Sequence, residues 1–481
     1  MERLFGDWSA GRGPIYARLA EAVRAAIERG DIPPGMRLPP ERLLAETLAV
    51  SRTTVVLAYG RLRRRGLLES RQGSGTWVPR RAGVPSPADR REERGRSFLV
   101  DAIARAAADE PADTIGFLGA CLPAAGDFLE EAWDEVRSDL QELARTPGYS
   151  PQGLPTLRRA IATSLEQRGL PTTPDEVLVT GGAQQAIDLV ARFLVREGDA
   201  VVLEDPTYLG AIDAFTAARA RLLPVPVGPA GPDVATLRRL AAEAAPALAY
   251  LVPSFHNPTG TLLDEGARRE IARLAEAGLW VLEDESLADL SFGADPPPPI
   301  AAFAPRGSVL TVGSMSKLFW GGLRVGWVRG SRAVIARLAR LKVVADLSGS
   351  VIGQSLAARL LPRREEVVRL RRRQLVARLE RLTGLLREEL PEWSWAPPKG
   401  GLSLWLRLPT PSAEDLARVA PRHGVSIVPG PVNSPSGGCA DRVRLPFVLE
   451  ERLLAEGVAR LARAWRACRE PAGERRLGVI V

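Results

Sequence analysis

The chain of 481 residues is longer than one hydrophobic core normally supports, so we expect several domains. Its 45% hydrophobic and 25% charged residues are typical of a globular protein, and no run of about 18 apolar residues predicts a membrane span. The two histidines and three scattered cysteines argue against a histidine metal centre, a serine-protease triad and a disulfide framework. Because the first residues lack an apolar signal-peptide core, we expect a cytoplasmic protein.

Positive charge is concentrated near the N-terminus. Residues 1–80 contain 14 arginines, no lysine and 8 acidic residues, so +6 of the net charge of +8 lies in this first sixth of the chain. We call residues 1–79 the head, residues 80–111 the linker and residues 112–481 the body. The charge distribution predicts that the head, rather than the body, binds a polyanion.

The head is predicted to contain three helices followed by a hairpin. Apolar residues recur with helical spacing over residues 15–30, and residues 39–50 form a second predicted helix. The third begins at Ser51 as N-cap and ends at Gly66. The stretch LLESRQGSGTWV then predicts two strands around a Gly-Ser-Gly turn. This order is typical of an α+β winged helix-turn-helix.

The third predicted helix has polar residues where a recognition helix meets DNA. Its N-terminal hydroxyls can donate to phosphates or base edges, and Arg52 can make a bidentate contact to guanine. The wing glycines allow a close approach to the minor groove. The predicted DNA contacts are Arg42, Ser51, Arg52, Thr53, Thr54, Arg71, Gln72 and Gly73. A plain N-cap followed by a solvated helix face is the alternative interpretation of the same residues.

The motifs LPPER, SRTT and GLL occur in this order in the head. Over about residues 14–79 they resemble the winged helix-turn-helix of the GntR family of bacterial repressors. The resemblance implies that Arg42, the SRTT residues and the wing glycine contact DNA. Val56 departs from the pattern, because some relatives carry a further DNA-contacting arginine there.

The linker is a charged segment rich in proline and glycine that becomes weakly helical. From residue 112 onward, apolar strand-like runs alternate with helical stretches. This alternation predicts an α/β domain with a mostly parallel sheet. After about residue 350 the sequence predicts an arginine-rich helix and a smaller unit containing strands.

Lysine is scarce, since the chain has only three lysines among its 65 basic residues. Where charge alone is needed the chain uses arginine, whereas imine formation requires a primary amine. Lys317 follows the apolar strand VLTVG and can form a Schiff base with an aldehyde cofactor. The nearby Ser314, Ser316 and Arg324 can hold a phosphate dianion. A surface lysine is the alternative interpretation.

Other motifs could complete such a pocket. TGGAQQAID places glycines between a strand and a helix, where backbone N–H groups and the helix dipole can bind phosphate. Asp284, at a strand end, could keep a pyridine nitrogen protonated or could instead cap a helix. Asn257 could bond to the ring hydroxyl and Tyr208 could stack on the ring. Arg444 could bind a carboxylate or could be a surface arginine.

The motifs TGGAQ, EDPTY, HNPTG, ED, SxSK, RxG and RLxF resemble those of fold-type I aminotransferases over about residues 112–470. The resemblance implies pyridoxal 5'-phosphate as cofactor, a large lobe with a mostly parallel sheet, a smaller α+β lobe and a homodimer with sites at its interface. It implies catalytic roles for Lys317, the Schiff-base lysine, and Asp284, which pairs with the pyridine nitrogen. Arg444 is implied to bind the ligand's α-carboxylate. The other implied cofactor contacts are Ala183, Gln184, Tyr208, Asn257, Ser286, Ser314, Ser316, Arg324 and, reaching the partner subunit's phosphate, Tyr149.

One position departs from this family. Its members usually carry a tyrosine two or three residues after the pyridine aspartate, where this chain has Ser286 and Leu287. Since the phenol helps to control the lysine's pKa, we expect no efficient transamination. We expect cofactor binding to be retained.

A GntR-like head joined to an aminotransferase-like body resembles the MocR subfamily of bacterial transcriptional regulators. The resemblance implies a multidomain regulator that binds double-stranded DNA and senses pyridoxal phosphate, an amine or an amino acid. One alternative is an active aminotransferase with an accessory DNA-binding head. Another is a DNA-binding protein whose body only dimerises.

Overall fold

The structure is a computed structural model, and it describes residues 14–28, 32, 36–48, 50–64, 67–71, 75–78, 113–410 and 412–469. The chain divides into two compact units between residues 94 and 95. This division falls within the linker, which lies outside the described residues. The exact domain boundaries at residues 79 and 112 therefore stay predictions.

The head is a winged helix-turn-helix, as predicted. Its described helices are α1 (Ile15–Glu28), α2 (Glu41–Thr47) and α3 (Arg52–Arg64). Its strands are β1 (Arg37–Leu38), β2 (Glu69–Arg71) and β3 (Gly75–Trp77), which form an antiparallel sheet in the order β1-β3-β2. The sequence did not predict β1, because a strand of two residues is too short to show a periodic pattern.

The head's helices share one apolar core. Leu19 and Val23 of α1 and Val55 and Tyr59 of α3 are fully buried. The Tyr59 hydroxyl donates to the Pro39 carbonyl oxygen at 3.1 Å, which joins α3 to the segment before α2. Burying each aliphatic side chain contributes roughly 1.5–3 kcal/mol, so this core fixes which face of α3 points to solvent.

The body is built from alternating helices and strands, as predicted. Its described helices are α4 (Gly126–Leu143), α5 (Pro155–Gln167), α6 (Ala183–Leu194), α7 (Leu209–Ala217), α8 (Val234–Ala244), α9 (Glu265–Glu276), α10 (Arg332–Asp346), α11 (Val351–Leu360), α12 (Arg364–Glu389), α13 (Ala413–Val419) and α14 (Glu451–Arg469). Its described strands are β4 (Ile115–Gly116), β5 (Val177–Thr180), β6 (Ala200–Asp205), β7 (Arg221–Gly228), β8 (Gly231–Pro232), β9 (Leu248–Leu251), β10 (Val281–Asp284), β11 (Val309–Ser314), β12 (Gly326–Arg329), β13 (Ser394–Trp395), β14 (Ser403–Arg407), β15 (Val425–Ser426), β16 (Val428–Pro429) and β17 (Arg442–Pro446).

An eight-stranded sheet forms the large lobe, in the order β5-β12-β11-β10-β9-β6-β7-β8. Its central pairs are parallel, and only β12 and β8 pair antiparallel with their neighbours among the described strands. Val281 and Leu282 of β10 enter apolar clusters on opposite faces, because successive side chains of a strand alternate. The carboxyl ends of β10 and β11 bring Asp284 and Ser314 to one edge of the sheet.

The smaller lobe contains a four-stranded antiparallel sheet in the order β13-β14-β17-β16. In α14, Trp465 packs edge-on against Trp393, with ring centroids 5.4 Å apart, and its Nε1 donates to Glu392 at 2.6 Å. Arg444 lies in the middle of β17, between Trp405 of β14 and Val428 of β16. Within the described parts of the chain, no helix has the length and apolar character needed to cross a membrane.

Candidate functional site

A cavity of about 250 Å³ lies at the carboxyl ends of β10 and β11. The predicted site residues that line it are Ala183, Gln184, Tyr208, Asn257, Asp284, Ser286, Ser314, Ser316, Lys317, Arg324 and Arg444. Tyr149 does not line the cavity, and 69% of its surface is exposed. Its predicted contact with a partner subunit stays a prediction.

Lys317 places its amine inside the cavity. Its Nζ donates to the Ala120 carbonyl oxygen at 3.0 Å and lies 3.4 Å from the Cys121 sulfur. The other two lysines do not line the cavity, since Lys342 is buried with Asp346 at 2.8 Å and Lys399 is exposed. Lys317 is therefore the lysine of this chain that can react with an aldehyde bound there.

One end of the cavity is suited to an anion. Gly182 precedes α6 with φ of 115°, and a β carbon there would lie 3.4 Å from the Arg324 guanidinium. Arg324 also donates to the Gly181 carbonyl oxygen at 2.7 Å. Ser314 Oγ accepts a hydrogen bond from the Ser316 N–H at 3.1 Å, so its own hydroxyl hydrogen remains to donate. A helix N-terminus, a guanidinium and two hydroxyls together can hold a phosphate dianion.

Asp284 is buried at the end of β10, where 6% of its surface is exposed. One carboxylate oxygen accepts from the Tyr250 hydroxyl at 2.9 Å, and the other accepts from the Ser286 N–H at 2.9 Å. Burial raises the pKa of Asp284, and a cationic N–H bound beside it would favour the ionised form. Residues 286–289 form a turn, so Asp284 does not cap a helix.

A buried ion-pair network supports the segments on both sides of Asp284. Arg268 is fully buried and donates to Glu285 at 3.1 Å, to Ser254 Oγ at 2.8 Å and to the Pro253 carbonyl oxygen at 3.0 Å. Burial opposes ionisation of Glu285, but Arg268 and Arg168 lower its pKa. The network therefore joins the end of β10 to the loop that carries Asn257.

Ser286 and Leu287 both line the cavity after Asp284. Ser286 Oγ is buried beside Asp284, and its hydrogen bond to that carboxylate partly offsets the rise of the Asp284 pKa caused by burial. Neither residue provides the phenol that the aminotransferase pattern places at this point.

Arg444 faces the other end of the cavity, with only 5% of its surface exposed. It donates to the Leu118 carbonyl oxygen at 2.6 Å, and its other terminal nitrogen lies 3.5 Å from the Asn257 side-chain oxygen. Burial lowers the pKa of Arg444 to about 10, and no carboxylate of the described chain pairs with it. A buried guanidinium without an ionic partner can bind a ligand carboxylate in two hydrogen bonds.

Tyr208 forms one wall, and burial, followed by the charge of Asp284, raises its pKa to about 12. Gly210 allows this placement, because a β carbon there would lie 2.6 Å from the Tyr208 ring. Gln184 donates to the Gly210 carbonyl oxygen at 2.7 Å. The cavity therefore combines an end suited to a phosphate, an aromatic wall, a buried carboxylate and a primary amine. This combination fits pyridoxal phosphate.

Cys121 and His256 also line the cavity, and neither was among the predicted contacts. Cys121 contacts Lys317 across a separation of 196 positions, so no local pattern signals it. His256 lines the cavity, and its Nε2 lies 3.3 Å from Glu204, which is also buried. His256 belongs to the HNPTG motif, so its position next to Asn257 could have indicated that it lines the cavity.

The head presents the N-terminus of α3 to solvent. Ser51, Arg52 and Thr53 are exposed, and Thr54 is half-buried. Ser51 Oγ accepts from the Thr54 N–H at 3.1 Å, which confirms the predicted N-cap. Arg52 is 71% exposed and lies 3.9 Å from Glu41, a weak pair that DNA phosphates could replace.

The other predicted DNA contacts are described to different extents. Arg42 is exposed on α2. Arg71 lies in β2, at the start of the wing. Gln72 and Gly73 lie outside the described residues.

Comparison with known families matches both units. The gntR family of bacterial regulatory proteins matches residues 15–78, and the class I and II aminotransferase family matches residues 121–461. The uncharacterized HTH-type transcriptional regulator YisV of Bacillus subtilis is 30% identical, over 82% of this chain and 84% of its own. The probable rhizopine catabolism regulatory protein MocR of Rhizobium meliloti is 32% identical, over 66% of this chain and 65% of its own. The chain belongs to the MocR subfamily of GntR-type regulators.

The body also resembles working enzymes. A 2-aminoadipate transaminase of Thermus thermophilus is 37% identical, over 71% of this chain and 88% of its own. The crystal structure of LysN, an alpha-aminoadipate aminotransferase of the same species, superimposes with a TM-score of 0.70 at 33% identity, over 79% of this chain and 97% of LysN. These matches confirm the aminotransferase fold and pyridoxal phosphate as its cofactor. When bound, this cofactor supplies an aldehyde that condenses with amines and a ring that accepts electrons.

Proposed function

We propose that this regulator binds its operator through the head and senses pyridoxal phosphate, an amine or an amino acid through the body. One observation carries the proposal. The cavity keeps Lys317, Asp284 and Arg444, yet Ser286 and Leu287 stand where a catalytic phenol is expected. Such a site can bind the ligands of an aminotransferase, but it lacks the phenol that supports rapid turnover. Because its target is bacterial DNA, the protein acts in the cytoplasm.

Each predicted cofactor contact that lines the cavity has a proposed role. Lys317 holds the cofactor's aldehyde carbon, and Asp284 holds the ring nitrogen in its protonated form. Asn257 would face the ring hydroxyl, Tyr208 would stack on the ring, and Ser286 would line the same part of the cavity. The phosphate is held by Ala183, Gln184, Ser314, Ser316 and Arg324.

The proposed effector is an amine that carries a carboxylate. Arg444 binds that carboxylate, because it is buried and pairs with no described carboxylate. An effector can change DNA binding only if its affinity differs between two states of the protein. The proposal therefore requires that cofactor or effector binding alters the arrangement of the two heads.

The proposed assembly is a homodimer. Exposed apolar side chains on and beside α10 and α11 support it, since Val344, Leu347 and Ile352 are 89%, 55% and 42% exposed. Tyr149 belongs to the same surface, because the N–H of Ser150 donates to Ser348 Oγ at 2.9 Å. In the dimer, Tyr149 reaches the phosphate in the partner subunit.

A working aminotransferase is the second candidate, favoured by the 37% identity to the 2-aminoadipate transaminase. Full-length protein loaded with pyridoxal phosphate would be given a panel of amino acids, each with an oxo-acid acceptor. We expect ligand-induced changes of the cofactor's absorbance without sustained product formation. Repeated turnover at ordinary enzyme rates, ~1 to 10³ per second, would instead identify an enzyme. No absorbance change at all would favour a body that only dimerises.

A further inference from the structure

Cys121 and Lys317 place a thiol and an amine side by side in the cavity. The Cys121 sulfur lies 3.4 Å from the Lys317 nitrogen, and both residues line the cavity. The Ala120 carbonyl oxygen accepts from the same nitrogen at 3.0 Å and so holds the amine beside the sulfur. Two nucleophiles from distant parts of the chain thus share one solvent-accessible space.

The other two cysteines lie in different surroundings. Cys439 and Cys468 are half-buried and line no part of this cavity. Burial raises the pKa of Cys439 to about 11 and also raises the pKa of Cys468. Because the thiolate is the reactive form of cysteine, these two thiols are disfavoured as nucleophiles. Cys121 is exposed and is therefore accessible to a small oxidant.

We propose that Cys121 and Lys317 form a peroxide-sensitive switch that controls cofactor binding. The inference rests on the proposed function, because its consequence is the loss of the amine that holds pyridoxal phosphate. The oxidant is hydrogen peroxide. The product is a sulfur–nitrogen bond between the two side chains.

The reaction balances in two steps. The Cys121 sulfur attacks one peroxide oxygen, the O–O bond breaks and a sulfenic acid forms with release of water. The Lys317 nitrogen then attacks that sulfur, the S–O bond breaks and a second water leaves with a proton from the amine. Sulfur loses two electrons and peroxide gains them. A sulfenic acid can condense with a backbone nitrogen to form a sulfenamide, and the 3.4 Å contact places the Lys317 amine close enough to react in the same way.

The experiment starts from cofactor-free, full-length protein. Part of it is treated with hydrogen peroxide, the peroxide is removed, and both samples are digested for mass spectrometry. We expect a cross-linked peptide pair that contains Cys121 and Lys317 and is two hydrogen atoms lighter than the separate peptides. Dithiothreitol should release it. Absence of the cross-link would overturn the proposal, whether or not the protein binds cofactor.

Cofactor uptake provides the second measurement. After peroxide treatment we expect the visible absorbance gained on adding pyridoxal phosphate to fall about tenfold, and to recover after dithiothreitol. Cys121→Ser should show the same uptake before and after peroxide, whereas Cys439→Ser, the matched control, should remain sensitive. Equal uptake by treated and untreated wild type would also overturn the switch. If untreated wild type takes up no cofactor, the proposed function fails instead, and the cross-link still decides the chemistry of the pair.

Discussion

The head and the body present their functional side chains in opposite ways. In the head, Ser51, Arg52 and Thr53 are exposed at the N-terminus of α3. In the body, Asp284 and Arg444 are 6% and 5% exposed. DNA is a long polyanion that meets a surface at many points, whereas a small ligand gains most from a few desolvated groups. Substitutions in the head should therefore weaken DNA binding in steps, whereas each substitution of a buried group in the body should remove one defined interaction with the ligand.

Lys317→Ala should change the body more strongly than any other single substitution considered below. Without the amine, the variant cannot form a carbon–nitrogen bond to the cofactor, so the visible absorbance of bound pyridoxal phosphate should disappear. Borohydride reduction followed by mass spectrometry should label the wild type at Lys317 and the variant nowhere. DNA binding by cofactor-free protein should remain, because the substitution lies in the other unit.

Lys399→Ala is the matched control, because Lys399 is exposed and does not line the cavity. It should keep both the absorbance and the label. Loss of the absorbance in this variant, or its survival in Lys317→Ala, would contradict the assignment of the amine.

Arg444→Ala tests the carboxylate end of the same cavity. Hydrogen bonds to charged groups contribute about 1.5–3 kcal/mol, so amino-acid affinity should fall roughly 10- to 150-fold. The decarboxylated amine of the same amino acid should bind wild type and variant alike. Titration of the cofactor absorbance with both ligands gives the comparison. Equal losses for the two ligands would show that Arg444 supports the cavity without recognising the carboxylate.

Arg52→Ala tests the stepwise behaviour expected of the head. Losing one guanidinium contact to a base should cost about 1–3 kcal/mol, or roughly 5- to 150-fold in DNA affinity, and should relax specificity at one position. Arg137→Ala removes an equally exposed arginine from the body. Because exposed ion pairs contribute little, this substitution should change the DNA affinity by less than about twofold. Anisotropy titrations on operator and scrambled DNA would measure both. Equal weakening by the two substitutions would indicate only a net-charge effect.

A pH dependence of stability is expected from Glu283, a buried carboxyl in β10. Burial, together with repulsion from Glu285, raises the pKa of Glu283 to about 7. A carboxyl whose pKa is raised by folding stabilises the fold fully below its unfolded pKa, and this contribution is lost as the pH rises through the folded value. Relative to Glu283→Gln, the wild type should therefore lose stability as the pH rises from about 5 to about 8. Thermal unfolding of both proteins would measure it, and a constant difference across this range would contradict it.

Local sequence was informative wherever a functional residue ends a regular element. Asp284 ends an apolar strand, Lys317 follows another, and Ser51 precedes a helix, so their positions could be predicted before the structure was known. The contacts between Tyr250 and Asp284 and between Cys121 and Lys317 could not. Each joins residues far apart in the chain, and only the packing of the sheet brings them together.

In the proposed function, occupancy of the body controls DNA binding by the head. The most direct measurement is the dissociation constant of the full-length protein for DNA flanking its own gene, without cofactor, with pyridoxal phosphate, and with added amino acids. We predict that at least one of these ligands changes the constant by roughly 5- to 150-fold, the usual range for coupled sites, and that Lys317→Ala removes the change. An identical constant in every state would contradict the claim.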